Sequence, residues 1–115
     1  MKPTENDKAE VRVTMGSGNV FADIGIPEPE EALAKARLAD LIGETIADLG
    51  LTQAQAGELL GIDQGTVSKI INDRLDGFSQ GRLIRYLTVL GNDVEILVRR
   101  VEESGHPGTV SVGRG

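Results

Sequence analysis

Between Gln53 and Asn72 the chain reads QAQAGELLGIDQGTVSKIIN, two short amphipathic patterns separated by one glycine, and this window restricts the fold more than any other. Thr52 is a favourable N-cap residue, and Gln55 three positions on completes a T-x-x-Q capping box, so a helix is expected from Gln53. Ala56, Leu59 and Leu60 fall at i, i+3 and i+4 and make one apolar stripe, after which Gly61 supplies the open backbone geometry that ends a helix. Ile62 is placed to plug the corner and Asp63 to cap a second helix, on which Val67, Ile70 and Ile71 repeat the same spacing. The opposite face of that second helix presents Gln64, Gly65, Ser68 and Lys69. These are hydrogen-bonding groups and a bare stretch of backbone, as a helix lying in a DNA major groove requires. Gly57 sits inside the first helix, where glycine costs roughly 1 kcal/mol relative to alanine, so a close approach of another helix is expected there. A glycine-linked helical hairpin is also a common piece of small bundles. The small residues at 56 and 57, the plug at 62 and the polar outer face together favour a helix-turn-helix.

Around this window the sequence organises into an N-terminal arm over 1–27, one domain over 28–100 and a tail over 101–115. The first ten residues are polar and the last twelve, SGHPGTVSVGRG, hold little to bury, so both read as disordered. Val11 to Ile26 reads as an extended arm with apolar anchors at Val20, Phe21, Ile24 and Ile26. Pro29, Glu30 and Glu31 suit the first turn of a long helix, whose stripe runs through Leu38, Leu41, Ile42, Ile46 and Leu49 to Gly50. Ser79 is placed to cap a further helix, with Phe78 and Leu83 as its hydrophobic staple and Leu83, Leu87 and Leu90 facing the core. DVEILVRRV then alternates as a strand. A single strand leaves backbone groups unpaired, so Val94, Ile96 and Val98 are expected at a two-fold interface, in an antiparallel ribbon with the same strand of a second subunit. The expected fold is mainly α, a compact four- to five-helix bundle with one C-terminal strand.

A net charge of -6 is unusual for a nucleic-acid binder, and its distribution decides what it means. Residues 1–50 carry five basic and ten acidic side chains, whereas residues 75–100 carry four basic and three acidic ones. The acid therefore lies mostly outside the window, either as a solvated face or as a surface for a basic partner. With so few cations, one subunit neutralises few phosphates, which makes dimerisation important.

The stretch LTQAQAGELLGIDQGTVSKI resembles the helix-turn-helix of the XRE, or Cro/cI-like, repressors, which implies that the expected bundle is of lambda-repressor-like type. A wider resemblance, from about Gly16 to Arg99, is to XRE-type antitoxins of HigA kind, the partners of RelE-like or HigB-like toxins. It implies base contacts from the start and outer face of the second motif helix, hence Gln64, Gly65, Ser68 and Lys69, with Thr66 also expected at the DNA-binding surface. It also implies a phosphate contact at Gln53 and backbone contacts at Asn72 and Arg74. Gly65 departs from the family, many of whose members carry a side chain there, so that position offers either no direct readout or a close backbone approach. The implied partners are double-stranded operator DNA of palindromic form, a second copy of the chain and a toxin protein.

Catalysis finds no footing. The single histidine, His106, lies in the tail, no cluster has metal-ligand spacing, and no cofactor is expected. Gly16-Ser17-Gly18 is followed by no Gly-Lys-Ser/Thr and reads as a hinge. Arg82 and Arg85 are placed to reach phosphates or to be solvated. The absence of cysteine and of a long apolar run fits a cytoplasmic protein with no membrane contact. Three functions remain: an autoregulating antitoxin, a repressor without a toxin, and a protein-interaction bundle that does not bind DNA.

Overall fold

The computed structural model describes residues 10–14, 28–101 and 108–115. In chain order these form β1 (Glu10–Thr14), α1 (Glu28–Asp48), α2 (Gln53–Leu60), α3 (Gln64–Ile71), α4 (Gln80–Val89) and β2 (Glu95–Arg99). The mainly helical class, the four helices and the C-terminal strand agree with the sequence.

α1 is the scaffold. Ala34, Leu38, Ala39, Ile42 and Ile46 line its buried face. The helix stops where Gly50 turns to φ 69° and the Leu51 amide donates to the Ile46 carbonyl at 3.1 Å, the closure that satisfies the last helical acceptors. Leu49, expected to continue the stripe, is 52% exposed because the chain is already reversing there. α4 runs beside α1 in the same direction, tied at both ends. Near its start the buried Gln80 donates through Nε2 to the Glu31 carbonyl (3.3 Å), and beyond its end Asn92 donates through Nδ2 to Thr45 Oγ1 (3.1 Å). Leu83, Leu87 and Leu90 are buried as expected, with Ile84, Tyr86 and Phe78 beside them.

α2 and α3 close the remaining side. Ile42, Ile70, Leu83, Ile84 and Val67 are the largest fully buried side chains, drawn from α1, α3 and α4. Each contributes roughly 1.5–3 kcal/mol by its removal from water. The outer members of both expected stripes are displaced. Leu59 is 54% exposed and Ile71 also faces solvent, while Ala56, Gly57, Val67 and Ile70 are buried. Helix α2 is rotated so that its small residues, rather than Leu59, meet the rest of the motif.

The strand β2 is where expected, but its partner is not. It pairs antiparallel with β1 of the same chain, with Val11 opposite Val98 and Val13 opposite Ile96. The expectation of a lone strand is thereby corrected, since EVRVT supplies a ladder within the chain, at low cost in loop closure compared with recruiting a second molecule. Val94 and Ile96 are half-buried against the subunit's own core, and Val98 is 54% exposed. The arm's anchors at 20–26 and the hinge at 16–18 lie outside the described residues, as does His106.

Residues 108–115, read from composition as disordered, lie in an extended course along α1. The Val110 amide donates to Glu30 Oε1 (3.2 Å), Arg37 Nε donates to the Val112 carbonyl (3.3 Å), and Arg114 pairs with Glu44. Val112 is half-buried against the core, an anchor that overall composition hides.

Candidate nucleic-acid interface

The motif is built from two capped helices. At α2 the Gln55 amide donates to Thr52 Oγ1 (3.0 Å) and the Thr52 amide donates to Gln55 Oε1 (2.8 Å), completing the reciprocal capping box. α2 ends at Gly61, φ 74°, and the Ile62 amide donates back to the Gly57 carbonyl at 2.9 Å. Gly57 answers to this turn. A Cβ there would lie 2.5 Å from the Ile62 carbonyl oxygen, so the close approach is between helix and turn backbone rather than between two helices. Ile62 is half-buried against the core and plugs the corner.

α3 starts at its cap, Asp63, whose Oδ1 accepts from the Thr66 amide (2.7 Å) and from the Thr66 hydroxyl (2.6 Å). These hydrogen bonds, the side-chain one foremost, hold the Asp63 carboxyl below its ordinary value against a small opposing effect of burial. They also decide the role of Thr66, whose hydroxyl is occupied in holding the helix start. At the other end Asn72 folds back, Nδ2 donating to the Ser68 carbonyl (2.9 Å) and to Ser68 Oγ (3.2 Å). The two candidates Ser68 and Asn72 thus form one fixed unit. Its Ser68 hydroxyl hydrogen and Asn72 carbonyl oxygen remain for outside partners.

Gln64, Gly65, Lys69, Asn72 and Arg74 are exposed, Thr66 and Ser68 are half-exposed, and Val67 and Ile70 are buried behind them. Gln53 is half-buried at the first position of α2. At Gly65 a Cβ would meet only Asp63 Oδ1, at an ordinary 3.7 Å. Packing therefore does not demand the glycine.

The charges are arranged unequally. Asp63 at the start of α3 opposes the positive end of that helix, so α3 does not offer its N-terminus to a phosphate. No acid occupies the first turn of α2, and Gln53 stands at that uncompensated end. Lys69 in the last turn of α3 and Arg74 just beyond it are the cations of the surface. Arg74 is fixed by the helix closure, its amide donating to the Lys69 carbonyl at 2.8 Å across Asp73, which stands at φ 59°.

Arg82 is better held than sequence reading implied. Its guanidinium carbon lies 4.8 Å from the Phe78 ring centroid and 5.5 Å from that of Tyr86, and its Nε donates to Tyr86 Oη at 2.5 Å. The signal was present in the spacing of Arg82 and Tyr86, four residues apart on one face of α4, with Phe78 just ahead of its cap. Among the described residues no group of acids and histidine is placed to hold a metal ion, and no helix is long and apolar enough to cross a membrane.

Residues 20–99 match a protein family described as a helix-turn-helix domain. The solved structure of a protein provisionally assigned as an XRE family transcriptional regulator is similar throughout its length. It is 39% identical with a TM-score of 0.72, over 77% of this chain and 100% of that one. No curated protein matches the chain.

Proposed function

The chain belongs to this helix-turn-helix family, matched over residues 20–99, and we propose that it is a sequence-specific DNA-binding transcriptional repressor acting as a homodimer. In the finer reading it is the antitoxin of a type II toxin-antitoxin pair, repressing its own operon and neutralising a RelE-like or HigB-like toxin. The observation that carries DNA binding is the face of α3. Gln64, Gly65 and Lys69 are exposed together, backed by fully buried Val67 and Ile70, so the helix is fixed while its polar side is presented.

Each subunit lays α3 in a major groove, with half-sites about 34 Å apart on a palindromic operator. Gln64 bonds adenine bidentately and Lys69 donates to guanine O6 or N7, each good pair discriminating by about 1–3 kcal/mol. Ser68 and Asn72 act as one unit at the groove edge. Gln53, at the uncompensated start of α2, and Arg74 hold phosphates. The dimer forms through the edge of β2 not paired with β1, where Val98 is exposed beside Val94 and Ile96. Two copies double the few cations available for phosphate. The acidic excess of residues 1–50 faces the basic toxin.

Replacing Gln64 by Ala tests the base-reading role. Affinity for the operator falls while affinity for random DNA holds, with specificity relaxed at one base pair per half-site; an equal fall on both makes Gln64 a phosphate contact instead. Sedimentation equilibrium reads the dimer, and a monomer at operator-binding concentration overturns it. The reading frame beside this one decides between antitoxin and repressor alone. A short basic chain that co-purifies with this protein supports the first, and its absence supports the second.

A further inference from the structure

We infer that the face of α1 bearing Glu30, Arg37 and Glu44 is a docking groove for an extended polypeptide segment ending in a basic side chain, with the chain's own residues 108–115 as its resident occupant. This surface is separate from the DNA-reading face of α3 and stands whether or not the proposed function holds. The three α1 residues are seven apart and therefore share one helical face. They meet alternate residues of the segment, Val110, Val112 and Arg114, the long side chains of Glu30, Arg37 and Glu44 making up the difference between the helix rise and the shorter rise of the segment. Each supplies a different interaction. Glu30 accepts from a backbone amide, Arg37 donates to a backbone carbonyl, and Glu44 pairs with a guanidinium.

Two of the three contacts go to backbone, so they accept any extended segment; only Val112, half-buried, and Arg114 select side chains. α1 carries six acidic and two basic residues, which favours a positively charged visitor. The Arg114–Glu44 pair is largely exposed, with side chains 66% and 47% accessible, and adds little by itself. The tail is therefore held mainly because it is tethered, at an effective concentration of the order of millimolar. A partner protein offering an apolar residue two positions before an arginine competes for the same groove, and the tail sets the threshold for its entry.

The probe is a fluorescent octapeptide of residues 108–115, titrated into the full chain. The wild type binds it weakly because the tail competes. A full-length V112D/R114E variant, whose own tail no longer seats, binds it several-fold more tightly. Adding E44R to that variant weakens binding of the arginine peptide through like-charge repulsion, and a peptide carrying Glu in place of its arginine binds that protein better than the arginine peptide does. Arg114→Glu alone, a change at an exposed side chain, moves binding in the same direction and guards against misfolding of the double variant, as does a thermal melt of each protein. Equal peptide binding by wild type and both tail variants, or binding indifferent to E44R, overturns the inference.

Discussion

The two motif helices are the same length and begin with the same kind of cap, yet each carries a glycine for a different reason. Gly57 in α2 lies where a side-chain carbon would strike the Ile62 carbonyl oxygen at 2.5 Å, whereas at Gly65 in α3 it would make only an ordinary 3.7 Å contact with Asp63 Oδ1. The first glycine is part of the fold. The second lowers helix stability without helping the packing, so its use is to be sought in what approaches α3 from outside. The caps divide in the same way: Thr52 and Gln55 form a neutral box, while Asp63 places a carboxylate at the start of α3.

The strongest test of this contrast is Gly57→Ala. The methyl group must displace turn backbone, and overpacking of this kind costs typically about 1–3 kcal/mol, the upper end being expected here because a carbonyl rather than a side chain is struck. Chemical denaturation measures it, and an unchanged midpoint would remove the helix-turn approach as the reason for the glycine. Gly65→Ala should do the opposite, raising stability by up to about 1 kcal/mol through helix propensity while weakening operator binding. A variant both more stable and equally good at binding DNA would sink the external role of Gly65.

The closures of the helices sharpen the comparison further. α1, α2 and α4 end at glycines with positive φ (Gly50, Gly61 and Gly91), but α3 ends with Asp73 at φ 59°. Asp73→Gly relieves that conformation and should add about 0.5–1 kcal/mol, read from the thermal midpoint. It also removes a negative charge beside Arg74, so DNA binding should tighten rather than weaken.

The smallest effect concerns acid. Because Thr66 holds the folded Asp63 carboxyl below its ordinary value, the stability it contributes is present above the unfolded-state pKa of about 3.9. That contribution is lost as pH falls through the lower folded value. Asp63→Asn keeps a neutral cap and should show a flatter stability profile below about pH 4 than the wild type. Parallel profiles would show that the carboxylate charge plays no part in the cap.

Much of the motif was legible because its determinants are local. Thr52 with Gln55, Gly61, Asp63, and the buried pair Val67 and Ile70 all act over three or four residues. The faces were less legible at their edges. Leu59 and Leu60 satisfy the same helical spacing, and only the contact of Gly57 with the turn rotates α2 so that Leu59 is left in solvent. Within the candidate site, the outer positions Gln64, Gly65 and Lys69 follow from the pattern. The engagement of Thr66 with Asp63 and of Asn72 with Ser68 depends on rotamers, which sequence does not specify.

Local sequence by itself determined the helix-turn-helix, its caps and stops, the scaffold helix and the strand at residues 95–99, since each rests on interactions within a few positions of the chain. Tertiary structure alone decided that this strand pairs with Glu10–Thr14 and that residues 108–115 lie along α1. Those contacts join residues about 70 to 90 positions apart. Short segments such as EVRVT and GTVSVGRG carry too few apolar groups to declare a partner, and acquire one only when the bundle has already brought the surfaces together.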